Sequence, residues 1–371
     1  MASAQAFVPN PFTPAFGKVP AFMAGREQIT EDMVQAFAGE GGDPNLCSIF
    51  VGARGTGKTA LLTYLGQQAA QQGWVVANVS AQEGMLDDVL QRVREAAAHL
   101  IDDAPKRRLT GIGIASLGSA SWENEPASGA NWRTRMNGLF DQLAEADAGI
   151  VITVDEVDPA LPEMTELCTT FQHFVRENRK AALLMAGLPH KVSALLSGRS
   201  TSFLRRAFRH DLGPIASYDV EEAFRLTVES GAKRIDDDAL AEAVRQIDGF
   251  PYMFQLVGYR AWNAARMSPA ICEEHVRRGA RLAREVLAAS VYDATISELS
   301  KNDLAFVRAM NPGAGEKTTR DELKTRLGKS SSHVSTYRKR LLDAGVIEEG
   351  LDGTFSFALP GFGEYVNQRF R

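Results

Sequence analysis

Cysteine is scarce in this chain: three in 371 residues, at Cys47, Cys168 and Cys272. The number is odd, the positions lie far apart, and no CxxC or Cys/His spacing occurs. That excludes a disulfide scaffold and a zinc ribbon and suits a reducing cytoplasm. Long hydrophobic runs are missing too. None reaches the roughly 18–20 residues that span a bilayer, so no membrane partner is expected. Excess positive charge is also absent, with 41 Lys and Arg against 46 Asp and Glu, a net of −5. A chain that is basic overall is excluded, whereas a local nucleic-acid-binding patch is not, because net charge says nothing about distribution. The first 20 residues lack a basic stretch followed by a long apolar one, so no secretory signal is expected. No internal repeat is visible, and Ser330-Ser331-Ser332 is the only low-complexity run.

What remains is ordinary in composition: 44% apolar and 23% charged residues, values that suit folded soluble domains. At roughly 100–200 residues per domain, the length allows two or three of them. Pro9, Pro11, Pro14 and Pro20, interleaved with Phe7, Phe12 and Phe16, predict an extended N-terminal arm lying against the body. From about 46 to 215 short apolar runs alternate with amphipathic helical stretches. Ser48–Val51, Val75–Val79, Ile150–Val154 and Ala182–Ala186 read as buried strands. Thr59–Gln72, Met85–Leu100, Trp132–Ala146 and Met164–Asn178 read as helices. Strands without polar alternation, separated by helices, predict a parallel sheet covered on both faces. Leu109–Ser121 alternates with a period of two and predicts an inserted hairpin. After Pro214 the strand signal stops, and Val220–Glu229, Asp236–Ile247, Met253–Arg266 and Ile271–Leu299 read as helices. The last stretch predicts three short helices, Lys301–Met310, Arg320–Leu327 and Ser332–Ala344, then strands at Val346-Ile347 and Thr354–Leu359. That is the order of a winged helix-turn-helix.

Chemistry concentrates at two places. Ser48–Val51 runs into Gly52-Ala53-Arg54-Gly55-Thr56-Gly57-Lys58-Thr59-Ala60, a G-x-x-x-x-G-K-T sequence between a strand and a helix. Glycines let the backbone wrap a phosphate with no Cβ in the way, and the freed N–H groups point inwards at the helix N-terminus. Lys58 would reach the β- and γ-phosphates, and the Thr59 hydroxyl would ligate Mg²⁺. About a hundred residues on, Ile150–Val154 ends in Asp155-Glu156. Carboxylates at the tip of a buried parallel strand face the crevice at the sheet's carboxyl edge. Asp155 would hold Mg²⁺, directly or through water, and Glu156 would polarise the water attacking ATP.

These two motifs resemble Walker A and Walker B of the additional-strand P-loop ATPases. Met23-Ala24-Gly25-Arg26-Glu27 is similar to the GRE box of origin-recognition-like AAA+ proteins and of STAND ATPases. The resemblance implies that Val19, Pro20, Met23 and Ala24 line the adenine pocket; read from the residues alone, Gly25-Arg26 is equally a turn that starts a helix. Ala182–Pro189 resembles the fourth strand of that core but departs at its end, where Ala186-Gly187 replaces the polar sensor residue and His190 is the nearest substitute. Ser202–Arg209 followed by Leu212-Gly213-Pro214 resembles the stretch carrying the AAA+ arginine finger. Spacing favours Arg205, with Arg206 second, and basic residues on a solvated helix remain the plain alternative. Gly249-Phe250-Pro251 resembles the G-x-P triplet of STAND ATPases, which implies Pro251 at the base and no sensor-2 arginine. Both departures imply slow turnover.

In the C-terminal stretch, Arg340 to Ile347 resembles the end of a winged-helix recognition helix and the start of its wing. Val334, Tyr337, Leu341 and Leu342 have the spacing of a buried face. Ser331, Ser332, His333, Thr336, Arg338 and Lys339 are the candidate DNA contacts. From 301 to 371 there are 12 Lys and Arg and 9 Asp and Glu, a net of +3 against −8 for the rest.

The expected architecture is α/β: a parallel-sheet P-loop NTPase core (21–215) after an N-terminal arm (1–20), an all-α lid (216–298) and a C-terminal winged helix-turn-helix (299–371). The expected function is a cytoplasmic ATP-binding and hydrolysing switch that uses Mg²⁺, self-associates through its core and binds duplex DNA through the winged helix. The alternatives are a non-catalytic, nucleotide-bound adaptor whose winged helix docks a partner protein, and a nucleotide kinase, which the large helical lid disfavours.

Overall fold

The computed structural model describes residues 9–15, 17–39, 41–102, 131–310, 317–350 and 352–370. The hairpin expected at Leu109–Ser121 lies outside these residues. The first part of the chain runs α1 (Glu27–Ala38), β1 (Cys47–Val51), α2 (Lys58–Gln71), β2 (Val75–Ser80), α3 (Met85–Asp102), α4 (Trp132–Ala144), β3 (Ile150–Asp155), α5 (Pro162–Arg176), β4 (Ala181–Gly187), α6 (Pro189–Ser197) and β5 (Phe208–Asp211). The five strands form one parallel sheet in the order β2-β3-β4-β1-β5. Its central strands are buried on both faces, as their unbroken apolar runs predict. One face packs on α3, α4 and α5 through Val89, Phe140 and Phe171, and the other on α1 and α2 through Phe37 and Leu65.

The strand that the sequence hides is β5. It reads Phe208-Arg209-His210-Asp211, with only His210 buried, because it forms the sheet's outer edge and pairs only with β1. Helix α6 was likewise not predicted. Its nine residues begin at Pro189, immediately after the fourth strand.

The helical lid follows with α7 (Ser217–Ser230), α8 (Asp237–Ile247), α9 (Pro251–Ala264) and α10 (Glu273–Leu287). It is not purely helical. Two-residue strands β6 (Arg234–Ile235) and β7 (Ala270–Ile271) pair in parallel, a ladder too short to leave a sequence period. The long last helix expected over 271–299 is broken by a π turn at Ala288–Tyr292 before α11 (Asp293–Glu298).

The C-terminal unit has α12 (Lys301–Met310), α13 (Arg320–Leu327) and α14 (Ser331–Asp343), then an antiparallel hairpin of β8 (Ile347–Glu349) and β9 (Phe355–Phe357), then an unpredicted α15 (Phe362–Arg369). Thr319 and Glu322 form a capping box on α13, and Ser330 caps α14. Three helices and a hairpin are consistent with a winged helix. Its core is continuous with that of the lid: one buried cluster runs from Phe12 and Phe224 through Tyr292 to Phe306, Phe355 and Val366. Among the described residues no helix is long and apolar enough to cross a membrane.

Candidate functional site

Parallel pairing brings the carboxyl ends of β1, β3 and β4 to one edge, and the loops that leave them build the site. The loop after β1 contains Gly55 at φ +80° and Gly57 at φ +87°, left-handed conformations that residues with a Cβ rarely adopt. Gly55 is required for a second reason. A Cβ there would lie 2.4 Å from Cζ of Phe250, the lid residue that covers the loop. Pro251 follows at the start of α9, 3.8 Å from where a Cβ on Gly57 would sit. Inside the loop, the Thr56 hydroxyl donates to Ala53 O at 2.9 Å.

Lys58 opens α2 and folds back into this loop. Its Nζ donates to Gly52 O at 2.9 Å and to Ala53 O at 2.6 Å. Burial pushes its pKa down from 10.5 to about 8; Asp155 and Glu156 pull it up, and Arg54 adds to the fall. The next residue, Thr59, donates its hydroxyl to Asp155 Oδ2 at 2.5 Å. Glu156 sits at φ +55° just past the strand, and its N–H donates to Asp155 Oδ1 at 2.9 Å. Its side chain is exposed. The two motifs, far apart in sequence, therefore meet at Lys58, Thr59 and Asp155, and Glu156 stands at the open side.

The GRE segment joins the same region from behind. Arg26 donates to Gly213 O at 2.7 Å, tying it to the link between β5 and α7. Ala24 is buried in one apolar cluster with Ala53, Ile215 and Phe250, while Val19, Pro20 and Met23 are partly buried nearby in sequence.

Other nominated residues are not gathered here. Arg205 and Arg206 are exposed in a short 3₁₀ turn, and Arg205 Nε donates to Leu196 O at 3.2 Å. Neither lines the cavity beside the P-loop. At the end of β4, Gly187 admits no side chain, because a Cβ would lie 2.4 Å from Val157 Cγ2. His190 lies in the first turn of α6 with its Nδ1 buried and without a hydrogen bond. On α14, Ser331, Ser332, Thr336 and Lys339 are exposed, and the His333 ring packs against Tyr337 at a tilt of 43°. Arg338 departs from the expected free contact: it is ion-paired with Glu349 on the wing and lies over the Phe355 ring.

The largest departure is one that no motif could signal. The C-terminal unit is seated on the P-loop. A Cβ on Gly345 would lie 3.6 Å from both Ala53 Cα and Pro189 Cδ. Arg54 of the P-loop pairs with Glu298 on α11 at 2.8 Å. A cavity of about 180 Å³ lies between, lined by Gly52, Ala53 and Thr56 of the loop, Phe250 and Pro251 of the lid, and Leu342, Gly345 and Glu348 of the C-terminal unit. That is smaller than the roughly 300–1,000 Å³ of typical small-molecule sites. Tyr292, in the π turn, donates to Pro360 O, and Tyr365 of α15 donates to Asp293 at 2.5 Å, so the junction between lid and C-terminal unit is also tied.

Comparison with known proteins gives the following likenesses. Residues 23–186 match the AAA ATPase domain family, and residues 289–366 match a domain of unknown function (DUF8462). No curated protein matches the chain. Among solved structures, the Aeropyrum pernix ORC2 protein in its ADP form is 15% identical, covers 96% of this chain and 97% of its own, and superposes with a TM-score of 0.55. The same protein in its ADPNP–ADP complexes gives 15% identity over the same shares of the two chains and a TM-score of 0.50. Cdc6p from Pyrobaculum aerophilum gives 15% identity, 96% and 98% coverage and a TM-score of 0.49. At such identities the likeness is one of fold. It bears out the resemblance read from Walker A, Walker B and the GRE box: an origin-recognition-like AAA+ P-loop ATPase fold.

Proposed function

We propose that the chain is a nucleotide-controlled switch in which ATP, bound and slowly hydrolysed at the P-loop, governs the seating of a winged helix that engages duplex DNA. The observation that carries this reading is the place of Gly345 beside Ala53 and Pro189, near enough that an added Cβ would lie 3.6 Å from both, at a cavity of about 180 Å³ lined by the P-loop and the C-terminal unit together. Gly52, Ala53, Thr56 and Pro251, which the nucleotide would touch, share this lining with Leu342, Gly345 and Glu348 of the C-terminal unit, so nucleotide and C-terminal unit bear on the same wall. The ADP and ADPNP–ADP forms of the similar ORC2 protein support nucleotide as the ligand.

The residues suit the roles. Gly52, Ala53, Arg54, Gly55, Thr56, Gly57 and Ala60 would surround the phosphates, and Lys58 would exchange its two carbonyl partners for phosphate oxygens. Thr59 and Asp155, already hydrogen-bonded, form an oxygen donor pair that fits Mg²⁺. Bound there, Mg²⁺ would offset charge on the phosphates. Glu156 would orient and deprotonate the attacking water from the open side. Val19, Pro20, Met23, Ala24 and Pro251 would face the base. Arg205, which would leave its bond to Leu196 O, or Arg206 beside it, would reach from this exposed turn to the site of a neighbouring copy. On α14, Ser331, Ser332, His333, Thr336 and Lys339 would meet DNA, with Arg338 holding the wing to the helix rather than contacting phosphate.

The test is duplex DNA binding measured by fluorescence polarisation with ADP and with a non-hydrolysable ATP analogue, at two salt concentrations. The expected result is about tenfold tighter binding with the triphosphate and a clear loss of affinity at the higher salt. Equal affinity in both nucleotide states removes the switch. Tightly retained ADP, no turnover and no DNA binding would favour the adaptor reading.

A further inference from the structure

The N-terminal arm is built into the helical lid. Phe12 is 1% exposed, its ring centroid 5.0 Å from Phe224 on α7 and 5.9 Å from Phe254 on α9. The ring fills a notch made by Gly258, where a Cβ would lie 2.2 Å from the Phe12 ring. Hydrogen bonds flank this knob. Asn10 Nδ2 donates to Tyr259 O at 3.0 Å, and Thr13 N donates to Gln255 Oε1 at 2.8 Å. Phe12 N donates to Asn10 Oδ1 at 3.0 Å, which closes a tight turn.

A short way on, the chain is pinned again. Arg26 holds Gly213 O, Gly25 packs against Ile215, and Ala24 is buried with Ala53 and Phe250. Between the two pins, residues 17–24 form neither helix nor strand. Such a segment has no internal ladder to fix its path, so its path depends on its ends and on the packing of Phe22 and Met23 against the neighbouring cores. One end is in the lid and the other at the link between sheet and lid.

We propose that Phe12 is a positioning residue for the nucleotide base: by locking the arm into the lid, it holds residues 19–24 where the base binds. The inference rests on the nucleotide-binding reading above. Its physical basis is preorganisation. A short segment already fixed at both ends loses less conformational freedom when a ligand orders it. The phosphate subsite is built from the P-loop and Asp155, none of which belongs to the arm. Loss of the anchor therefore weakens recognition of the base and spares recognition of the phosphates.

The experiment is calorimetric titration of the full chain with ATP and, separately, with inorganic tripolyphosphate, which lacks a base. Phe12→Ala is expected to weaken ATP binding by about tenfold and to change tripolyphosphate binding by less than about twofold. Turnover at saturating ATP should stay at the wild-type rate. Gly258→Ala should reproduce the defect by expelling the ring while keeping Phe12, and Phe12→Leu should restore most of the affinity. If Phe12→Ala does not fold, Gln255→Ala removes one flanking hydrogen bond without touching the core and should shift ATP binding alone, by a smaller factor. Equal weakening of both ligands, or no change in ATP affinity for Phe12→Ala, overturns the proposal. Failure of the wild-type chain to bind ATP overturns the nucleotide reading itself and this inference with it.

Discussion

Lys58→Ala is expected to weaken ATP binding by at least about 100-fold, or about 2.7 kcal/mol. The argument is electrostatic. A charge-assisted bond from an enclosed ammonium to phosphate is among the stronger polar contacts, and its removal leaves phosphate charge without its side-chain partner. The fold already steers Lys58 into the loop, against Gly52 O and Ala53 O, so little reorganisation is needed when phosphate replaces those carbonyls. Binding should also depend on pH in the wild type. Below about 8, Lys58 carries its proton before nucleotide arrives. Above that value the free protein holds it neutral, and binding must take up a proton. Affinity should then fall as pH rises from about 8 towards 10.5, by up to about tenfold per unit. Titration calorimetry in buffers of different ionisation enthalpy reads both effects. Unchanged affinity in Lys58→Ala, with the fold intact by circular dichroism, would remove the P-loop assignment.

Glu156→Gln is expected to keep nucleotide affinity within about twofold and to lower turnover by about 10²- to 10⁴-fold, the range general-base catalysis contributes. Glutamine preserves shape and hydrogen bonding but cannot take a proton from water. The backbone supports the assignment. A non-glycine residue at φ +55° is an uncommon, mildly strained state, and here Asp155 stabilises it by accepting the Glu156 N–H. Single-turnover hydrolysis separates this from a binding defect. A variant that turns over at the wild-type rate would mean that Glu156 is not the base.

The parts legible in the sequence were those with strong local signals. β1, β3 and β4, in the middle of the sheet, are largely apolar runs, and β2 at its edge is apolar at Val75 to Ala77 and Val79, so β1 to β4 stand where they were predicted. Walker A announces itself by glycine and lysine spacing, and Asp155 by its place at a strand tip. What stayed hidden has no local signal. The outer strand β5 carries Arg209 and Asp211 because an edge is solvated, so it looks polar. Strands β6 and β7 are too short for any period. Arg338 looks free until Glu349 is brought beside it by the hairpin. The nearness of Gly345 to Ala53 is purely tertiary, between residues almost three hundred positions apart. The arm was expected to lie against the body, and the Gly258 notch shows how Phe12 does so.

The continuous apolar cluster from Phe224 to Val366 has a thermal consequence. The lid and the C-terminal unit share one core, whereas the sheet has two of its own. Cooperative units follow cores rather than domain outlines. Calorimetric melting should therefore resolve two transitions and not three, with the lid and the C-terminal unit lost together. The same continuity limits how the C-terminal unit can leave the P-loop. Swinging free on a linker would part Tyr292 from the rings of Phe362 and Tyr365, 5.4 and 5.2 Å away, so a release that keeps Tyr292 dry is a rotation about that junction.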